Sequence, residues 1–177
     1  MKIKKILFVL LASVIIVGPL VVSKGNASET AQVSASVSIK SISISIAPDS
    51  FTYGPMDTSA TKRATSVVGV DQVRVTNDSN VNVDLDIYGG NTTGGGTNWT
   101  LSPTAIGADT YMHEFTTNIN EPVWTKLNVV GQSAVLGTNI AQAGTRDFDL
   151  RMNTPSSVTE SGVTLTVPVT VIASENN

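Results

Sequence analysis

Residues 81–88 read Val-Asn-Val-Asp-Leu-Asp-Ile-Tyr, and this octet settles the fold class. In an extended chain Val81, Val83, Leu85 and Ile87 share one face and Asn82, Asp84, Asp86 and Tyr88 the other, because successive side chains of a strand point to opposite sides. A helix would scatter the same residues around its circumference, so a period of two means a half-buried strand. The pattern recurs on both sides of the octet. Val73 and Val75 flank Arg74, and Phe148, Leu150 and Met152 alternate with Asp147, Asp149 and Arg151. Val163, Leu165, Val167, Val169 and Val171 alternate with Thr164, Thr166, Pro168 and Thr170. Turn chemistry separates these runs: Asn77-Asp78-Ser79-Asn80, Gly89-Gly90-Asn91, Gly94-Gly95-Gly96 and Asn153-Thr154-Pro155.

Many short strands with such spacing predict an all-β domain, a single antiparallel β-sandwich of immunoglobulin-like or jelly-roll topology. Pro168 lacks the amide a central strand needs, so the last strand is expected at an edge, or with that position on an unpaired side. A signal helix is expected ahead of the sandwich. Lysines at 2, 4 and 5 precede an apolar run from Ile6 to Val22, and Gly25-Asn26-Ala27 offers the small residues a signal peptidase accepts. The expected division is residues 1–27 as signal peptide and residues 28–177 as the sandwich domain, secreted or held at the cell surface. An uncleaved segment is the one route by which the chain would engage a membrane.

Cleavage changes the electrostatics. Four of the eleven basic residues (Lys2, Lys4, Lys5 and Lys24) leave with the segment and none of the fourteen acidic ones do, so the formal charge moves from −3 to −7. A sparsely charged acidic chain lacks the basic footprint that nucleic acid or anionic lipid requires. The sequence contains no cysteine, which excludes a disulfide, a thiolate metal site and an acylated lipoprotein cysteine. Stability then depends on a hydrophobic core, which about 150 residues can supply.

The segment after Ala27 departs from the regular pattern. Val33, Ala35, Val37 and Ile39 are apolar at odd positions, then Ile42, Ile44 and Ile46 at even ones, with the slip at Lys40-Ser41. A one-residue slip sends side chains to the opposite face. Two readings follow: one long strand bridging both sheets of its own sandwich, or a donor strand, Val33 to Ile39, that completes the sheet of a neighbouring copy. A sticky β-prone segment suits the second role and is otherwise an aggregation hazard.

No catalytic constellation emerges. The one histidine, His113, shares a strand face with Tyr111 and Phe115 and reads as a packing or surface residue. Gly131-Gln132-Ser133-Ala134-Val135 lacks the final glycine of a nucleophile elbow, and no metalloprotease, phosphate-loop or dinucleotide motif is present. Asp78, Asn80, Asn82, Asp84 and Asp86 alternate in the manner of calcium-loop ligands. Valine at 83 stands where that loop needs glycine, so a solvated polar row is expected, with calcium bridging to Asp147 and Asp149 as the alternative. Neither an enzyme nor a cofactor is expected. For binding, Tyr88, Trp99 and Trp124 are the candidate glycan contacts, since sugar recognition by β domains uses exposed aromatic rings beside polar loops.

Ser41 to Gly54, the Val-Arg-Val-Thr-Asn-Asp-Ser-Asn-Val-Asn stretch at 73–82 and Trp99-Thr100-Leu101 together resemble the secreted all-β surface domains of bacteria, of Trp-x-Leu or immunoglobulin-like type. The resemblance covers about a third of the chain after Ala27, and the second, C-terminal Trp-x-Leu of that family is absent. What it implies is an exported, surface-associated β domain, without the family's peptidoglycan attachment. Two functions are therefore expected as alternatives: a structural or adhesive surface protein that assembles with itself through its N-terminal strand, or a monomeric module for glycan or cell-wall polysaccharide.

Overall fold

The computed structural model describes residues 34–67, 69 and 71–176; the expected signal helix and Val33 lie outside the described residues. The chain divides into two units, Met1–Val37 and Ser38–Asn177. Of the first, residues 34–37 are described, and all four are exposed and outside any strand or helix.

The second unit is built almost wholly of strands. They are β1 (Ile44–Ala47), β2 (Thr61–Arg63), β3 (Val73–Asn77), β4 (Val83–Gly89), β5 (Thr100–Leu101), β6 (Thr110–Thr116), β7 (Thr125–Lys126), β8 (Ala134–Ile140), β9 (Thr145–Asn153) and β10 (Val169–Glu175). Among the described residues the sole helical element is one 3-10 turn, Ala64–Ser66, and no helix is long and apolar enough to cross a membrane. The strands form two sheets. The larger runs β1-β3-β9-β6-β5, with β2 also on β9 and β7 on β6; the smaller runs β10-β4-β8.

The alternating octet behaves as its pattern demands. Val83, Leu85 and Ile87 are fully buried on β4, while Asp84, Asp86 and Tyr88 stay partly exposed. They meet Val73, Val75, Phe148, Leu150 and Met152 from the larger sheet in one hydrophobic cluster, completed by Leu136 and Ile140 of β8. Burying each such side chain contributes about 1.5–3 kcal/mol. Asn77 ties the turn before β4 to this cluster: its side-chain amide donates to the carbonyls of Val81 (2.9 Å) and Ile140 (2.8 Å), and its oxygen accepts from Ser79 N (2.9 Å).

Three expectations need correction. First, the larger sheet is mixed, because β5 and β6 run parallel, pairing Thr100 with Thr110 and Leu101 with Tyr111. Parallel neighbours ordinarily need a crossover of about a dozen residues. Here a short loop suffices because it is stitched internally by Gly107 and Thr110 and turns through Asp109 at φ 47°, and only two residue pairs form. Second, the long N-terminal strand is not formed. Pairing starts at Ile44, opposite Asn77; residues 39–43 are instead held to the Asp78–Asn80 turn, Asn80 Nδ2 donating to Ile39 O (2.8 Å) and Asp78 N to Ser43 O (3.0 Å). Third, the run Val163 to Val171 is a strand only from Val169 onward. Residues 163–168 cross toward the glycine-rich loop, where Thr166 and Thr93 exchange backbone bonds of 2.7 and 2.9 Å. The strand β10 lies at an edge, beginning one residue after Pro168.

Candidate functional site

The two sheets differ in strand number, seven against three, and β10 is an end strand of the smaller one. The cross-strand register puts Val171 opposite Ile87 and Ala173 opposite Leu85, so these residues share the inward face. Yet Leu85 and Ile87 are fully buried while Val171 and Ala173 are only half-buried. The core is closed over β4 and open beside β10.

The opening is a groove of about 1480 Å³. Its floor carries Ile46, Val73, Phe148, Leu150 and Met152 from the larger sheet, and Val169 and Val171 line it from β10. Residues 48–58 and 160–167 form two non-strand walls. The first wall is anchored at its far end: Lys62 donates through Nζ to the Tyr53 carbonyl, and Thr154 Oγ1 accepts from Ala60 N (2.8 Å) while donating to Asp57 O (2.6 Å). The second is pinned where the Glu160 carboxylate accepts from Thr97 N (2.8 Å). Small-molecule clefts are typically about 300–1,000 Å³, so this groove is larger than most.

His113 lies on the groove, buried to 1 % exposure, with Nε2 at 2.9 Å from the Tyr53 hydroxyl and Nδ1 without a hydrogen-bond partner. Burial pushes its pKa down to about 3, so the ring is neutral at ordinary pH. Burial also raises Tyr53 and Tyr111, keeping both hydroxyls protonated. Tyr111 donates to Gly90 O at 2.5 Å. The imidazole and both phenols are thus uncharged, and the ring neighbours of His113 are Tyr53 and Tyr111.

On the opposite side of β9, charged residues form a ladder. Asp149, fully buried, accepts from Arg63 Nε (2.8 Å), Thr65 N (3.2 Å), Thr65 Oγ1 (3.1 Å) and Leu150 N (2.8 Å). Glu114 accepts from Arg151 Nε and Asn153 Nδ2, each at 2.8 Å. The guanidinium carbons of Arg63 and Arg151 lie 5.2 and 4.4 Å from the centre of the Trp124 ring.

The sequence-derived candidates therefore separate. Tyr88 lines a cleft of about 290 Å³ with Val129, Val130 and Pro168. Trp99 lines the large groove, its ring tilted against Tyr111 with centroids 6.4 Å apart, and Trp124 is engaged by two arginines. Asp84 and Asp86 lie on the smaller sheet, whereas Asp147 and Asp149 on the larger one are taken up by Arg74 and Arg63. Among the described residues no group of three or more carboxylates and histidines is placed to hold a metal ion. Of the assembly-strand residues, Ala35, Val37 and Ile39 are all exposed, Val37 to 89 % and Ile39 to 81 %. Sequence reasoning missed Phe51 and Tyr53, which wall the groove; the alternation Phe51-Thr52-Tyr53 after Pro48 was the signal available.

The described residues thus define a β-rich protein of two sheets with an open apolar groove at one edge. Comparison with family models, with curated proteins and with solved structures finds no match for this chain.

Proposed function

We propose that this chain is an exported, non-enzymatic cell-surface or extracellular structural protein, a β-sandwich that joins its neighbours by strand addition through its N-terminal segment. The observation that carries the reading is the state of that segment. Ala35, Val37 and Ile39, apolar at every second position, stand in solvent outside any strand. Exposed alternating apolar residues are costly unless a partner covers them, and an extended segment of this kind is what strand addition uses. Trp99 packs against Tyr111 and Trp124 is covered by two arginines, which supports self-assembly over a glycan module that needs free ring faces.

The test compares a chain beginning at Ser28 with one beginning at Lys40, by size-exclusion chromatography, negative-stain microscopy and sedimentation with cell-wall polysaccharide. The longer chain is expected to form multimers or filaments and the shorter to remain monomeric. If both stay monomeric, strand addition fails. If both sediment equally with polysaccharide, the glycan module takes its place.

A further inference from the structure

We infer that the acceptor for the N-terminal segment is the free edge of β10, with Val33, Ala35, Val37 and Ile39 of a second copy lying along the groove beside it; this rests on the proposed self-assembly. Several independent features single out this edge. Among the described residues no backbone hydrogen bond is made on the side of β10 away from β4. The other free edges are poor templates. The β1 strand has four residues, β2 three, β5 and β7 two each, and β8 meets β4 through register shifts with Asn139 at φ 52°. The β10 strand has seven residues in unbroken register with β4.

Natural edges are usually blunted by inward charges, prolines or bulges. None protects β10: Val169 to Ser174 is uncharged, Pro168 precedes the strand, and Glu175 ends it. Length matches too. Val33 to Ile39 spans the same seven residues as β10, roughly 23 Å when extended. Laid beside β10, its apolar residues face Phe148, Leu150 and Met152 while Ser34, Ser36 and Ser38 face water. The added strand becomes the fourth of the smaller sheet and covers the half-buried Val171. The chain's own segment leaves the fold beside this edge, since Lys40 forms an ion pair with Glu175. Docking back on its own groove is therefore the competing outcome.

The absence of cysteine allows a clean cross-linking test. Chains beginning at Ser28 and carrying Val37→Cys are mixed under mild oxidation with chains carrying Val163→Cys or Ser161→Cys, both exposed positions on the groove wall. The control partner carries Val135→Cys on β8. The disulfide-linked pair is expected about tenfold or more above the control, because a docked strand holds the thiols at millimolar effective concentration. With Val37→Cys and Ser161→Cys in one chain, a ladder of covalent multimers is expected on denaturing gels. Cross-linking no greater than the control in a sample that still forms multimers overturns this acceptor site and leaves self-assembly standing. A monomeric intrachain disulfide alone overturns both.

Discussion

Arg63→Ala is expected to destabilise the fold by about 3 kcal/mol, and the figure follows from what it leaves behind. Asp149 is wholly buried, and Arg63, whose side chain is 32 % exposed, is its only cationic partner among the described residues, at 2.8 Å. Removing one member of a buried pair costs about 3–5 kcal/mol. Because Arg63 is about a third open to water, and Asp149 keeps its bonds from Thr65 and Leu150, the lower end of about 2–3 kcal/mol applies. Loss of the guanidinium from the Trp124 face adds about 0.5–1 kcal/mol. At about 2–4 °C per kcal/mol for a domain of this size, Tm falls by roughly 6–12 °C. Thermal melts followed by circular dichroism measure it, and urea titration should show a lower midpoint at unchanged slope. The double variant Arg63→Met/Asp149→Leu, which leaves no charge behind, should recover much of the loss. A Tm change under about 1 °C for Arg63→Ala, or a double variant as unstable as the two single ones added together, refutes the reasoning.

Other expectations concern the core, a turn and the buried imidazole. Leu85→Ala, fully buried between the sheets, should cost about 2–5 kcal/mol by chemical denaturation. Gly144→Ala would set a Cβ 2.8 Å from the Ala141 carbonyl oxygen, a backbone atom that cannot swing away, so a loss of about 1–3 kcal/mol is expected; an unchanged denaturation midpoint would contradict that contact. His113 is held neutral down to a pKa of about 3, whereas in the unfolded chain it takes up a proton near 6.5. Between those values the unfolded state binds more protons, so stability falls as pH falls, by up to about 1.4 kcal/mol per pH unit. His113→Gln, which keeps a partner for the Tyr53 hydroxyl, should flatten that slope between about pH 6 and 4. Parallel slopes for the two proteins would rule the imidazole out as the source.

Strand position and facing were legible wherever one face is buried and the other wet. Val83, Leu85 and Ile87 show this most directly, and Val73 with Val75 and Phe148 with Met152 follow. The pattern misled where a third element intervenes. Leu165 and Val167 alternate as a strand would, yet the backbone there pairs with Thr93 and turns toward the glycine loop, a contact between residues far apart in sequence. Asp149 sits at a polar, outward position by alternation and is fully buried, because Arg63, Thr65 and Trp124 cover that side of β9. Its partner lies 86 residues away, and no periodicity encodes that distance. The groove is likewise lined by both sheets and by residues 48–58 and 160–167, so no one strand encodes it.

The ion pair between Lys40 and Glu175 brings together the two places where the chain meets the folded unit. Asn176 reinforces the corner, donating from its amide to Asn82 O (3.1 Å) and from its side chain to Asp84 (2.8 Å). Lys40 and Glu175, held this close, can be joined in a chain limited to residues 40–176, and the backbone opened elsewhere, without rerouting any strand. The exposed turn at Val130-Gly131-Gln132, where a Cβ on Gly131 would meet nothing, is the natural place to open it. A circular permutant of residues 40–176 cut there keeps every sheet contact and carries no N-terminal arm. The same closeness lets the whole unit be spliced into a surface loop of another protein as a self-contained graft.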